Sequence, residues 1–225
     1  MFRLIEVLKQ DDLGSIEYGT LDGCEVIRRG AAAGIMGPIA RLLLVREARA
    51  LGRLSADGGL SGIAGLVAVN GRRELFRSWI AGVPLHRADV LPENFFELLA
   101  ELAASLHARG IAHNDLHKEP NVLVQPDGRP ALVDFQLASV HGLGSARLKR
   151  RAAEDLRHVE KHAARYRLRD STRRSQARER GVVARVWMAT GKPVYNFVTR
   201  RVIKRPDHEG RRPRGGPWPE WGPRV

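Results

Sequence analysis

The stretch from His113 to Phe135 constrains the fold more than any other. It reads HNDLHKEPN, VLVQ, PDGRP, ALVD and F. Two short apolar runs around a turn of Pro, Asp and Gly make a hairpin. If VLVQ pairs antiparallel with ALVD, Asn121 enters the pair where Asp134 leaves it. Paired strands lie about 5 Å apart, so these two side chains can converge on one hard cation. Both offer oxygen, the ligand type Mg2+ prefers, and Mg2+ takes the rest of its shell from water and substrate phosphates. Asp115 lies on the loop before the hairpin, free to orient a hydroxyl or take its proton. A base on a loop, followed by Asn, a hairpin and a metal-binding Asp, is the layout of a phosphotransferase site.

The chain has 225 residues, enough for one large domain or two small lobes with a real core. No apolar run approaches the length of a membrane span. The N-terminal MFRLIEVLKQDD meets charge too early for a signal peptide. A lone Cys24 excludes an internal disulfide, argues against a structural zinc site and fits a reducing cytosol. The expected location is cytoplasmic, with peripheral attachment at an inner membrane as an option. The net charge of +13 is unevenly spread. Residues 1–140 hold 15 Lys/Arg against 17 Asp/Glu, whereas residues 141–225 hold 23 against 8. The first part reads as a neutral body and the last as a basic appendage whose field attracts anions.

The first thirty residues suggest strands: LIEVL, SIEYGTL and CEVIRR, separated by Gly and Asp. A helix is expected from Pro38 to Leu54, with Ile39, Leu42, Leu43, Arg46 and Ala50 on one face. Residues 55–65 form a Gly/Ser-rich loop, and LVAVNGRRELFRSWI gives a hairpin around Asn70-Gly71. Residues 92–109 form the clearest helix, with Phe95, Leu98, Leu99, Leu102 and Leu106 as its stripe and Gly110 at its end. Residues 151–166 read as a helix of mixed charge. PVYNFVTRRVIK at 193–204 reads as a basic amphipathic helix, and the Pro-, Gly- and Arg-rich end as disordered. The tail could meet an anionic membrane surface or RNA.

HNDLHKEPNVLV followed by LVDFQ resembles the catalytic loop and metal-binding triplet of the protein-kinase-like superfamily. REARAL resembles its helix carrying the ion-pair Glu, here Glu47, and LFRSWIAGVPL its hinge. Within the superfamily the chain looks closest to RIO-like atypical serine/threonine kinases and bacterial lipopolysaccharide-core sugar kinases. The resemblance implies an α+β, two-lobed fold with a β-rich N-lobe (1–80), a mostly helical C-lobe (81–190) and a basic tail (191–225). It implies ATP and Mg2+ as cofactors and transfer of a phosphoryl group to a protein or lipopolysaccharide acceptor. Asp115 and Lys118 would be catalytic, and Asn121 and Asp134 would bind the metal. Glu47 would pair with a basic residue on the phosphates.

Several positions depart from the superfamily pattern. One extra residue separates Asp115 from Asn121, and Gln136 stands where D-F-G has Gly. No glycine-rich loop is present, and Gly14 and Ser15 offer the only turn near the phosphates. The strand that usually carries a phosphate-binding Lys reads CEVIRR, so Arg28 or Arg29 takes that place. Strand alternation points one of them into the cleft, and the reading leans to Arg28. His113 is expected to hold the loop by hydrogen bonds, and Trp79 to pack at the hinge. The missing Lys and glycine-rich loop leave a rival: a pseudokinase that binds RNA or membrane through its tail.

Overall fold

The first three strand patterns form an antiparallel meander of β1 (Phe2–Asp11), β2 (Gly14–Leu21) and β3 (Cys24–Ala31). After α1 (Gly37–Ala56), strands β4 (Leu66–Asn70) and β5 (Glu74–Ser78) complete a five-stranded sheet of order β1-β2-β3-β5-β4. The hairpin at Asn70-Gly71 is present, but Asn70 pairs directly with Glu74, leaving a three-residue turn. The chain then passes through the short strand β6 (Val83–Pro84) into α2 (Phe95–His107). β7 (Ile111–Ala112), β8 (Val122–Val124), β9 (Pro130–Leu132) and β10 (Ser139–Val140) form two small sheets, β10-β7 and β6-β8-β9. The last described element is α3 (Ala146–Arg178). The fold is therefore α+β.

This computed structural model describes residues 1–178, with side chains to residue 168. The helix expected at 193–204, the expected disordered tail and the end of the 81–190 segment lie outside the described residues. Residues 1–163 belong to one compact unit, and a second begins at Ala164. Among the described residues no helix is long and apolar enough to cross a membrane.

α1 corrects the expected face. Its buried row is Ala40, Leu44, Glu47, Ala50, Leu51 and Leu54, while Ile39 and Leu42 are about half exposed, at 49% and 58%. Two apolar rows compete along this helix. The one that is buried follows the i, i+4, i+7 spacing through Glu47, which meets an ion-pair partner on the sheet, and continues in Leu51 and Leu54. In α2 the expected stripe holds at four of its five positions: Phe95, Leu99, Leu102 and Leu106 are buried, whereas Leu98 is only partly covered. Full burial of each contributes roughly 1.5–3 kcal/mol. Gly110 follows with a φ of 78°, and a Cβ there would lie 2.5 Å from the His141 carbonyl oxygen. Glycine is thus needed where β7 and β10 come together.

The loop at 57–65 is more than a spacer. Ile63 and Ala64 are buried, and Gly62 accepts a hydrogen bond from the Leu132 amide at 2.8 Å. It ties the five-stranded sheet to the β8–β9 hairpin. The turn Phe135–Leu137 after that hairpin packs against α1.

Candidate functional site

The β8–β9 hairpin forms as its sequence requires, with Val122 opposite Leu132 and Val124 opposite Pro130. The Val133 amide donates to the Asn121 carbonyl at 3.0 Å. Asn121 and Asp134 are therefore held at the open end of one hairpin. Asp134 adopts left-handed backbone, φ 66° and ψ 70°. Such a conformation costs a non-glycine residue about 1–3 kcal/mol and gathers at functional sites.

On the sheet, β3 settles which arginine faces this hairpin, and the answer is Arg29, not Arg28. Residues 27 and 29 share one face with Leu75 and Arg77, their partners on β5. Arg29 Nη1 donates to Glu47 Oε2 at 2.9 Å and to Asp134 Oδ1 at 3.0 Å. One nitrogen thus bridges α1 and the hairpin end. Glu47 is fully buried, and the Arg29 side chain is 10% exposed. Burial disfavours the charge on Arg29, but Glu47 and Asp134 outweigh it and hold its pKa above the ordinary arginine value. Burial likewise works against the Asp134 carboxylate, and Arg29 more than offsets it, so its pKa stays below 3.8.

Arg28 points to the other face. It donates to Glu17 at 2.9 Å and to Glu74, and its guanidinium lies 5.4 Å from the centre of the Phe2 ring. Alternation alone could not decide between the two, because both rows of β3 carry an apolar residue, Val26 beside Arg28 and Ile27 beside Arg29.

Ser15 also falls on the outer face, where its hydroxyl donates to Glu17 Oε1 at 2.8 Å. Gly14 has a φ of 138°, and a Cβ there would lie 1.8 Å from the Gly30 carbonyl oxygen. It is glycine because β2 meets β3 too closely for a side chain. Gly14, Ser15 and Arg28 line a groove of about 630 Å³ on that outer face, opposite Glu47 and Asp134. None of these three joins the site.

The 113–121 loop is closely held. Asp115 is buried, at 2% exposure. Its Oδ2 accepts from the Asn121 side-chain amide at 2.9 Å and lies 3.1 Å from Lys118 Nζ. Its Oδ1 has no hydrogen-bond partner, although His117 Nδ1 lies 3.2 Å away. A buried carboxylate oxygen left open in this way is suited to accept a proton or hydroxyl. His113 holds the loop as expected. Its Nε2 donates to the Val133 carbonyl at 3.0 Å, leaving Nδ1 buried without a partner, and its ring packs at a tilt of 57° against Phe135. Burial pushes its pKa below 6.5 against the pull of Asp155, Asp134 and Asp115. Trp79, expected at the hinge, is partly exposed and packs against Tyr18 with the rings tilted by 49°.

Three residues that matter here escaped the sequence reading. Asp155 of α3 is fully buried. It accepts from the His113 amide at 2.8 Å, the Asn114 amide at 2.9 Å and His107 Nε2 at 3.0 Å. The signal was its place on the buried row of α3 with Leu148, Val159 and His162, where an acid needs a partner. His162 holds the same loop by donating to the Leu116 carbonyl at 2.8 Å. The third residue is Arg77, on the face of β5 shared with buried Leu75, where strand alternation could have placed it. Its Nε lies 3.7 Å from Glu47 Oε1, and neither atom has a hydrogen-bond partner. Burial and the nearby Arg29 charge hold its pKa below the ordinary arginine value despite Glu47.

The donor set suits a hard divalent cation. The Asn121 amide nitrogen is turned to Asp115, which leaves its carbonyl oxygen for another partner, and Asp134 is 34% exposed with only Oδ1 engaged by Arg29. Among the described residues no three His, Cys, Asp or Glu side chains converge as a metal cage. A cation held by Asn121 and Asp134 would need ligands from a substrate, which is how Mg2+ binds with nucleotide phosphates. Compared with known proteins, the chain matches no family model and no curated protein.

Proposed function

We propose that this chain is an ATP-dependent phosphotransferase with a two-lobed protein-kinase-like fold, acting on a hydroxyl group. The observation that carries the reading is the Arg29 bridge from Glu47 to Asp134, beside a buried Asp115 with one open oxygen. In this reading ATP lies against the Arg29 face of the sheet. Glu47 fixes the guanidinium, which braces the nucleotide phosphates in the role a lysine has in the resembling superfamily. Asn121 and Asp134 would hold Mg2+, which when bound neutralises charge on the phosphates. Asp115 orients the acceptor hydroxyl and takes its proton through Oδ1. Lys118, close to the other oxygen, meets charge on the transferred group. Catalysis is then positioning plus electrostatic stabilisation. The acceptor hydroxyl belongs to a protein Ser or Thr first, and to a lipopolysaccharide-core sugar second.

The test is thermal stability with ATP, with and without Mg2+, for the parent and Asp134→Ala. A ligand specific to the folded state adds about 2.7 kcal/mol at a hundredfold excess over its Kd. The reading expects a Mg2+-dependent shift that disappears in Asp134→Ala. Asp115→Asn should then lose turnover and keep the shift. No shift from folded protein at millimolar MgATP sinks the enzyme reading in favour of a pseudokinase that binds through its basic tail.

A further inference from the structure

A second groove, of about 520 Å³, lies on the other side of the 113–121 loop. It is lined by Arg46 of α1, by Arg147, Arg150 and Arg151 of α3, and by Asn114 and His141. All four arginines are exposed, and among the described residues none has a carboxylate within ion-pair distance. Among the described residues Arg46 makes one long hydrogen bond, 3.3 Å, to the Leu137 carbonyl.

This arrangement costs stability as it stands. Arg147, Arg150 and Arg151 follow the i, i+3, i+4 spacing that puts like charges side by side. They occupy the first turns of α3, where the helix dipole already presents positive charge and no acidic residue answers it. Arg46 adds a fifth positive element from another helix. The wall between them is anchored, because His141 donates its amide to Gly110 at 2.8 Å and its ring lies 2.7 Å from the Ser139 hydroxyl. Asn114, with a φ of 63°, is pinned by its side chain to the Leu137 carbonyl and Ser139 Oγ at 2.8 and 2.9 Å.

We propose that this groove binds the phosphate group of a phosphate monoester, seated among Arg46, Arg147, Arg150 and Arg151. A phosphate dianion fits the donors better than a carboxylate does. Each guanidinium presents a planar fork of N–H groups that matches phosphate oxygens bidentately, and four converge from two directions. His141 reports on the same field: burial, then Arg147 and Arg151, keep its pKa below 6.5. A dianion among those arginines cancels their repulsion and brings the pKa back up. The inference does not depend on the phosphotransfer reading, since it uses none of Asp115, Asn121, Glu47 or Asp134.

The experiment follows the His141 ring signals by NMR in the full chain, using inorganic phosphate and glucose 6-phosphate as probes. Sodium chloride at equal ionic strength is the control. A saturable upward shift of the His141 pKa with glucose 6-phosphate, absent in the chloride control, supports the site. Tighter saturation by glucose 6-phosphate than by inorganic phosphate assigns it to the ester, and equal saturation assigns it to the free ion. Losing one charged donor should weaken binding about tenfold or more, and Arg150→Glu with Arg151→Glu should abolish it. That double variant should keep any MgATP-dependent stabilisation, and Asp134→Ala should keep the phosphate response. A shift no larger than that of chloride overturns the proposal, as does one that survives the double variant. Neither result touches the Asp134→Ala test.

Discussion

Two adjacent arginines on β3 meet the same chemistry under opposite conditions. Arg28 and Arg29 each reach two carboxylates, Glu17 and Glu74 for the first, Glu47 and Asp134 for the second. The Arg28 side chain is 32% exposed and its partners are part-buried, at 13% and 22%, while Arg29 is 10% exposed and Glu47 is fully buried. Water reaches Arg28 and can make up part of what either partner supplies. Arg29 makes the hydrogen bond to the charge that Glu47 carries into the core, and Arg77, 3.7 Å away, adds a longer ion pair without one. The number of contacts therefore says little about what each pair is worth. Burial decides it.

The largest expected effect comes from removing each charge in turn. Arg29→Met should lower unfolding stability by about 3–5 kcal/mol, because it strands a buried carboxylate. Arg28→Met should cost about 1 kcal/mol or less, and raising salt to about 1 M should shrink that difference further. Denaturant unfolding of both variants checks the pair, and equal losses would break the comparison.

Acid should separate the two regions next. His113 is pushed below 6.5 by burial, so the fold holds it neutral and must pay when it charges. Its contribution is complete above pH 6.5 and is lost as pH falls through the lower folded value. The Arg28 hydrogen bond keeps Glu74 below 4.5, so its contribution fades only under pH 4.5. Stability should thus fall first on the buried side, by at most roughly 1.4 kcal/mol per pH unit for one proton. The slope between pH 6.5 and 4.5 should flatten in His113→Gln, and an unchanged slope would reassign the effect elsewhere.

The smallest effect concerns lysine. Arg29 uses a single nitrogen, Nη1, for both carboxylates, a task an ammonium with three donors can perform. Arg28 uses Nε, Nη1 and Nη2 across two partners. Arg29→Lys should stay within about 1 kcal/mol of the parent and keep any MgATP-dependent shift, while Arg28→Lys loses its fork. Loss of nucleotide binding in Arg29→Lys would show that guanidinium geometry, and not charge alone, is needed.

These contrasts also mark what could be read in advance. The β8–β9 hairpin and the α2 stripe were legible because turn chemistry and a single apolar row each allowed one solution. The choice between Arg28 and Arg29, and the buried face of α1, were not. In both, two rows of similar hydrophobicity competed, and the choice is visible only in the tertiary pair that the two buried rows make together, Arg29 with Glu47. Gly14 and Ser15 looked like a phosphate turn by composition, yet a close strand contact explains the glycine. Asp155 stayed hidden because its partners are backbone amides 42 and 41 residues earlier in the chain.

That separation has a consequence for synthesis. A chain emerging from the ribosome completes Asp115, Asn121 and Asp134 well before it reaches the carboxylate that fastens the His113 and Asn114 amides. Long-range contacts of this kind form late, after their loop-closure entropy has been met. A chain stopped short of residue 155 would carry every side chain proposed for phosphoryl transfer and lack the acceptor that shapes their loop. The loop that holds Asp115 can take its final shape only once Asp155 of α3 has been made.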